Sequence, residues 1–163
     1  KQSDSFTRAV LSTQIQDAFA SIPRQVYFTR FEQQAFDLIR AGATIPEVNT
    51  AYFNTLRTQF GKKMDIPENA RYEWGMVGHM FEHPFYTYSY AFGQLLVYAF
   101  FERYQKEGAS FVKDYTRFLS HGGSAPTEKI LHEMGFHPEK RRSWEKGFRV
   151  IETKFKTLKG LND

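Results

Sequence analysis

The sequence predicts an all-α protein, and three observations carry that prediction. Apolar residues recur at three- and four-residue steps, Pro and Gly stand where helices begin and end, and no alternating strand-like run of useful length occurs. The expected architecture is a multi-helical array of seven or eight helices, with a buried central helix near residues 85–105.

Taken in order, "DSFTRAVLSTQIQDAFASI" reads as a first helix to about Ala20. "PRQVYFTRFEQQAFDLIRAG" follows, placing Phe28, Phe31, Ala35 and Leu38 on one amphipathic stripe that stops at Gly42. Thr44 and Glu47, three apart with Pro46 in the first turn, form a capping box. Val48, Tyr52, Phe53, Leu56 and Phe60 then carry a third helix to Gly61. Asp65, Pro67 and Glu68 repeat the start signal, which predicts a helix bearing Trp74, Val77 and His79 and ended by Pro84.

The next segment, about Phe85 to Gln105, is apolar on all sides until Glu102, so neighbours are expected to enclose it. "GGSAPTEKILHEMG" predicts a helix capped by Ser124 and closed by Gly135, and a long basic helix from about Arg141 ends the chain. No repeat and no low-complexity tract interrupts the series.

At 163 residues the chain fits one domain, residues 1–163, able to bury roughly two thirds of its unfolded surface. Seventeen Phe, nine Tyr and two Trp make it 17% aromatic, and it has no cysteine. A disulfide framework and a thiolate metal site are therefore excluded, and a cytoplasmic setting is expected. The net charge of +4 sits on basic residues interspersed with glutamates, which reads as a solvated helix face and not a nucleic-acid surface. Pro84 to Phe101 carries no charge, but Thr87, Ser89, Gln94 and its tyrosines make it too polar for a membrane span. The sequence opens on Lys1 directly before the first helix, which suggests a piece of a longer chain.

"GHMFEHPFYTYSYAFG" concentrates the chemistry. His79, Glu82 and His83 have the spacing of an inverted zinc-peptidase motif, which needs both imidazoles on one helical face. Pro84 disfavours the α conformation at His83 and so turns that ring away. The alternatives are a hydrogen-bonded core or cleft role for His79 and an exposed loop role for His83. His121, His132 and His137 are dispersed in sequence and suggest nothing. Tyr86 and Tyr90 share a helical face while Tyr88 points nearly opposite, and the three are either core residues or donors to a reacting carbonyl. Such a donor contributes roughly 3 to 4 kcal/mol to an oxyanion.

With "WGMVGHMFEHPFYTYSYAFGQLLVYAFFERY" and its flanks "VYFTRFEQQAF", "GATIPEVNTAYFNTLRTQFG" and "FVKDYTRFLSHGGSAPTEKILHEMGF" in view, the chain resembles the C-terminal part of the catalytic domain of oligoendopeptidase F. That family comprises zinc metallopeptidases related to thimet oligopeptidase. The resemblance implies hydrolysis of short peptides with one zinc, held by an H-E-x-x-H helix and a later glutamate. No H-E-x-x-H occurs here, so zinc is implied for the complete enzyme and none is expected on this chain alone. The resemblance further implies catalytic roles for His79, Tyr88 and Tyr90 and substrate binding by Tyr86 and His79. Gly93 would allow close helix packing behind them. Partners would be short peptides and the N-terminal part of the same polypeptide, with no nucleic acid or membrane. A competing reading is a self-standing helical module that binds a peptide or apolar ligand.

Overall fold

The computed structural model describes residues 3–161, and Lys1 lies outside the described residues. Among these, eight α-helices and two 3₁₀ helices form, with no strand: α1 Asp4–Ser21, α2 Pro23–Arg40, α3 Ile45–Phe60, η1 Gly61–Lys63, η2 Glu68–Met76, α4 His79–Glu82, α5 Tyr88–Glu107, α6 Ala109–Ser120, α7 Thr127–Glu133 and α8 Arg141–Gly160. The fold is all-α. Among the described residues no helix is long and apolar enough to cross a membrane.

Packing divides the chain into two compact units, one from Asp17 to Phe92 and the other combining the stretch before Asp17 with that from Gly93 onward. In the first, α2 and α3 form a hairpin across residues 41–44, and the predicted stripe is the buried one. Phe28, Phe31 and Ala35 of α2 meet Val48, Tyr52, Phe53 and Leu56 of α3, with Met80 from α4. The Tyr52 ring lies edge-on to Phe31 at 4.8 Å, and each such buried aromatic contributes about 1.5–3 kcal/mol. The cap is as predicted: the Glu47 carboxylate accepts the Thr44 backbone N–H at 2.7 Å.

The segment after Pro67 differs from its prediction, being a 3₁₀ helix that stops at Met76, before His79. Tertiary hydrogen bonds account for the tighter winding. The Trp74 indole donates to Asn49 Oδ1 at 2.8 Å, and Glu73 accepts from the Tyr52 hydroxyl at 3.0 Å and from Arg24. Side chains at 73 and 74 are thus both drawn onto α2 and α3, which outweighs local α propensity.

The second unit is organised by Phe100 of α5. Its ring meets Phe118 at 5.3 Å, Phe111 at 5.8 Å, Phe136 at 6.0 Å and Tyr115 at 6.1 Å, all edge-on. Arg103 ties three elements together, donating to Glu107, to Asp114 of α6 and to the Met134 carbonyl after α7. Arg8 of α1 donates to the Leu161 carbonyl at 2.9 Å, joining the two ends of the described chain.

Three sequence expectations are corrected here. α5 is not enclosed on all sides: Ala91, Leu96, Ala99 and Phe100 are buried, whereas Val97, Phe101 and Tyr104 are exposed. Ser124 does not cap α7, which starts at Thr127 behind an extended Pro126. A Cβ at Gly93 would meet nothing within 4 Å; the close approach is at Gly147, where a Cβ would lie 2.6 Å from the Leu95 carbonyl oxygen. Gly147→Ala is therefore expected to cost about 1–3 kcal/mol, since α8 must back away from α5. Chemical denaturation checks this, and an unchanged midpoint would show that the helices separate freely.

Candidate active site

The site is built on the turn between α4 and α5. α4 is a single helical turn, and His83 behind it adopts φ −137° and ψ 76°, outside the α region as a residue before proline should be. Phe85 then takes φ +61°, the one non-glycine residue with positive φ among those described, in a region costly for a bulky side chain. It is held there by Glu32, whose Oε1 accepts the Phe85 N–H at 2.6 Å. Thr87 closes the turn. Thr29 gives its only hydroxyl proton to the Gln25 carbonyl, so the 2.7 Å contact between the two threonines requires Thr87 to donate.

This turn brings four rings into a ladder. His79 lies edge-on to Tyr90 at 5.7 Å, Tyr90 edge-on to Tyr86 at 5.7 Å, and Tyr86 is 6.1 Å from His83. α5 begins at Tyr88, so Tyr86 reaches Tyr90 through the turn and not along a shared helical face. Tyr88 stands apart from the ladder. The tyrosines are 49%, 57% and 44% exposed in chain order, so Tyr86, Tyr88 and Tyr90 present their rings at a surface and not in a core.

Glu32 is the residue that sequence reasoning missed. It is buried among α2's apolar stripe, and burial raises its pKa above the usual carboxylate value, an effect opposed by the Phe85 N–H and by nearby His79. Its Oε2 and His79 Nε2 are both buried without a hydrogen-bond partner. The signal was available: position 32 follows Phe28 by four and precedes Ala35 by three, which puts a carboxylate on the core face.

The region does not form a metal centre from its own residues. Glu32 and His79 supply two donors, His83 leaves the helix, and among the described residues no group of three metal-capable side chains includes any of them.

Comparison with known proteins adds to this geometry. The family model described as Peptidase family M3 matches residues 2–150. A protein of Borreliella burgdorferi described as an oligoendopeptidase F homolog is 26% identical over 151 residues, covering 91% of this chain and 25% of the relative. Another so described, from Mycoplasma genitalium, is 24% identical over 163 residues, covering 93% and 27%. Among solved structures, a candidate peptidase from Chlamydophila abortus aligns with a TM-score of 0.89 at 26% identity, over 99% of this chain and 27% of that one. The chain thus spans about a quarter of the length of these relatives.

Proposed function

Since the chain belongs to Peptidase family M3, we propose that it forms the substrate-facing, C-terminal part of the catalytic domain of a zinc-dependent oligoendopeptidase acting on short peptides. The zinc and the general base belong to the N-terminal part of the same domain, which is the chain's principal partner, in a cytoplasmic enzyme. The observation that carries this reading is the convergence of His79 with Tyr90 and Tyr86 on an exposed turn, in a chain matched by the family along most of its length.

In this reading the peptide lies along the ladder, with Tyr86 and His79 binding its backbone. When water adds to the scissile carbonyl, negative charge gathers on the oxygen, and preorganised N–H and O–H donors stabilise it more strongly than they stabilise the planar ground state. His79, through Nδ1, and the Tyr90 hydroxyl are those donors from within the ladder, and the Tyr88 hydroxyl is a third from outside it. Glu32 is a positioning residue: it fixes Phe85 and places negative charge beside His79.

An internally quenched peptide assay tests the division of labour. The 163-residue chain with added zinc is expected to give no hydrolysis, and the polypeptide extended upstream to include an H-E-x-x-H helix is expected to give it. Chelator-sensitive cleavage by the 163-residue chain itself would overturn the reading.

A further inference from the structure

Two of the histidines that are dispersed in sequence, His132 and His137, meet in space. His132 is the penultimate residue of α7, and Gly135, with φ +68°, reverses the chain behind it in a left-handed turn. The turn is closed by Gly135 N–H to the His132 carbonyl and by Phe136 N–H to the Leu131 carbonyl, both at 2.9 Å. Phe136 is buried, which pins the turn to the core. His137 emerges next to His132 with the two rings 4.8 Å apart. Glu139 stands between them: its Oε2 is 3.1 Å from His132 Nε2 and its Oε1 is 3.3 Å from His137 Nδ1.

We propose that His132, His137 and Glu139 form a binding site for a borderline divalent transition cation, with zinc as its representative. The donor set is two imidazoles and one carboxylate, the mixture that such cations take and that magnesium does not favour. One potential ligand atom from each residue lies within 4.8 Å of the others. In a tetrahedral zinc site with bonds of about 2.0–2.1 Å, ligand atoms are about 3.3 Å apart. Each histidine nitrogen already lies at about that distance from one of the two Glu139 carboxylate oxygens, His132 Nε2 from Oε2 and His137 Nδ1 from Oε1. With one ligand atom taken from each residue, separations of at most 4.8 Å close to that edge by rotation of the partly exposed side chains.

The scaffold is fixed from behind. The His137 N–H donates to Ser143 Oγ at 3.2 Å, the Trp144 indole donates to the Pro138 carbonyl at 2.8 Å, and the Lys140 N–H donates to the His137 carbonyl at 3.0 Å. Three ligands on an accessible helix end and the anchored loop behind it leave at least one coordination position for water or another donor. Glu128, one helical turn before His132, has Oε1 4.0 Å from its Nε2 and offers a further carboxylate. The bound cation would join the end of α7 to the loop that starts α8.

The test is isothermal titration of ZnCl2 into the tag-free, chelator-treated chain, with MgCl2 as the control for simple charge attraction. The expected result is one zinc per chain, no magnesium heat, and a melting temperature that rises with zinc concentration. His132→Gln and His137→Gln are each expected to weaken zinc binding by at least about tenfold, while His79→Gln leaves it unchanged. The replaced side chains are partly exposed, and circular dichroism verifies that each variant is folded. Absence of zinc binding at millimolar concentration would overturn the proposal. So would undiminished binding in the folded His132→Gln/His137→Gln double variant, or loss of binding in His79→Gln alone.

Discussion

Replacing His79 by alanine in the complete enzyme is expected to lower kcat by about 10²–10³-fold while leaving the zinc content unchanged. The size follows from the role assigned to the ring, a donor that matters most once charge has moved onto the carbonyl oxygen. KM should move much less, because the interaction strengthens mainly in the transition state. Metal analysis separates the possibilities: a variant that loses zinc along with activity would mean that His79 supports the metal and not the oxyanion. Glu32→Gln keeps an acceptor for the Phe85 N–H but removes the charge beside His79. As a positioning residue, Glu32 should therefore reveal itself in a displaced pH profile of kcat more than in the plateau rate.

Tyr52→Ala is expected to cost about 3–5 kcal/mol, the largest stability loss of any single change argued from this structure. Tyr52 is buried at the meeting of α2, α3 and η2, with rings from Phe28 and Phe31 against it and its hydroxyl on Glu73. Tyr52→Phe isolates the hydroxyl and should cost about 1.5–3 kcal/mol, the range for a hydrogen bond to a charged group. The tyrosine also sets an alkaline limit. Burial, reinforced by the Glu73 carboxylate, raises its pKa well above the ordinary phenol value. The stabilisation is thus fully present below about pH 10 and is lost as pH rises, because the unfolded chain then releases a proton that the folded chain retains. Between those two pKa values the slope from this residue is up to about 1.4 kcal/mol per pH unit. Denaturation midpoints measured from pH 8 upward should fall more steeply for the parent chain than for Tyr52→Phe, and equal slopes would refute the assignment.

Much of the fold was legible because local signals and tertiary packing agree. The stripe on α2, the Thr44 and Glu47 cap on α3 and the Pro84 stop after α4 all act through neighbours within four residues, so sequence displays them directly. What it could not display depends on contacts distant along the chain. η2 winds tightly because residues 73 and 74 bond back to positions 24, 49 and 52. The meeting of His132, His137 and Glu139 needs the reversal at Gly135, and spacings of five and two match no helical face. At the candidate site the ring types and the pairing of Tyr86 with Tyr90 were readable, but the addition of His79 to that pair was not. Tyr86 pairs with Tyr90, as their spacing of four suggested, but it does so from a turn before α5 that follows Phe85, whose backbone conformation no periodicity predicts. The carboxylate at position 32 could be placed on the core face from its spacing to Phe28 and Ala35, but its partner, the Phe85 N–H, lies 53 residues along the chain.

The uncovered side of α5 has a practical corollary for all of these measurements. Val97, Phe101 and Tyr104, with Val112 and Tyr115 of α6, line an open apolar furrow in the folded chain. Environment-sensitive dyes fluoresce when they enter such surfaces, whether or not a protein has melted. Dye-based thermal shifts on this chain will start from a bright baseline and understate unfolding. Circular dichroism and intrinsic tryptophan emission report instead on the helices and on Trp74 and Trp144, and are the readouts on which its variants should be ranked.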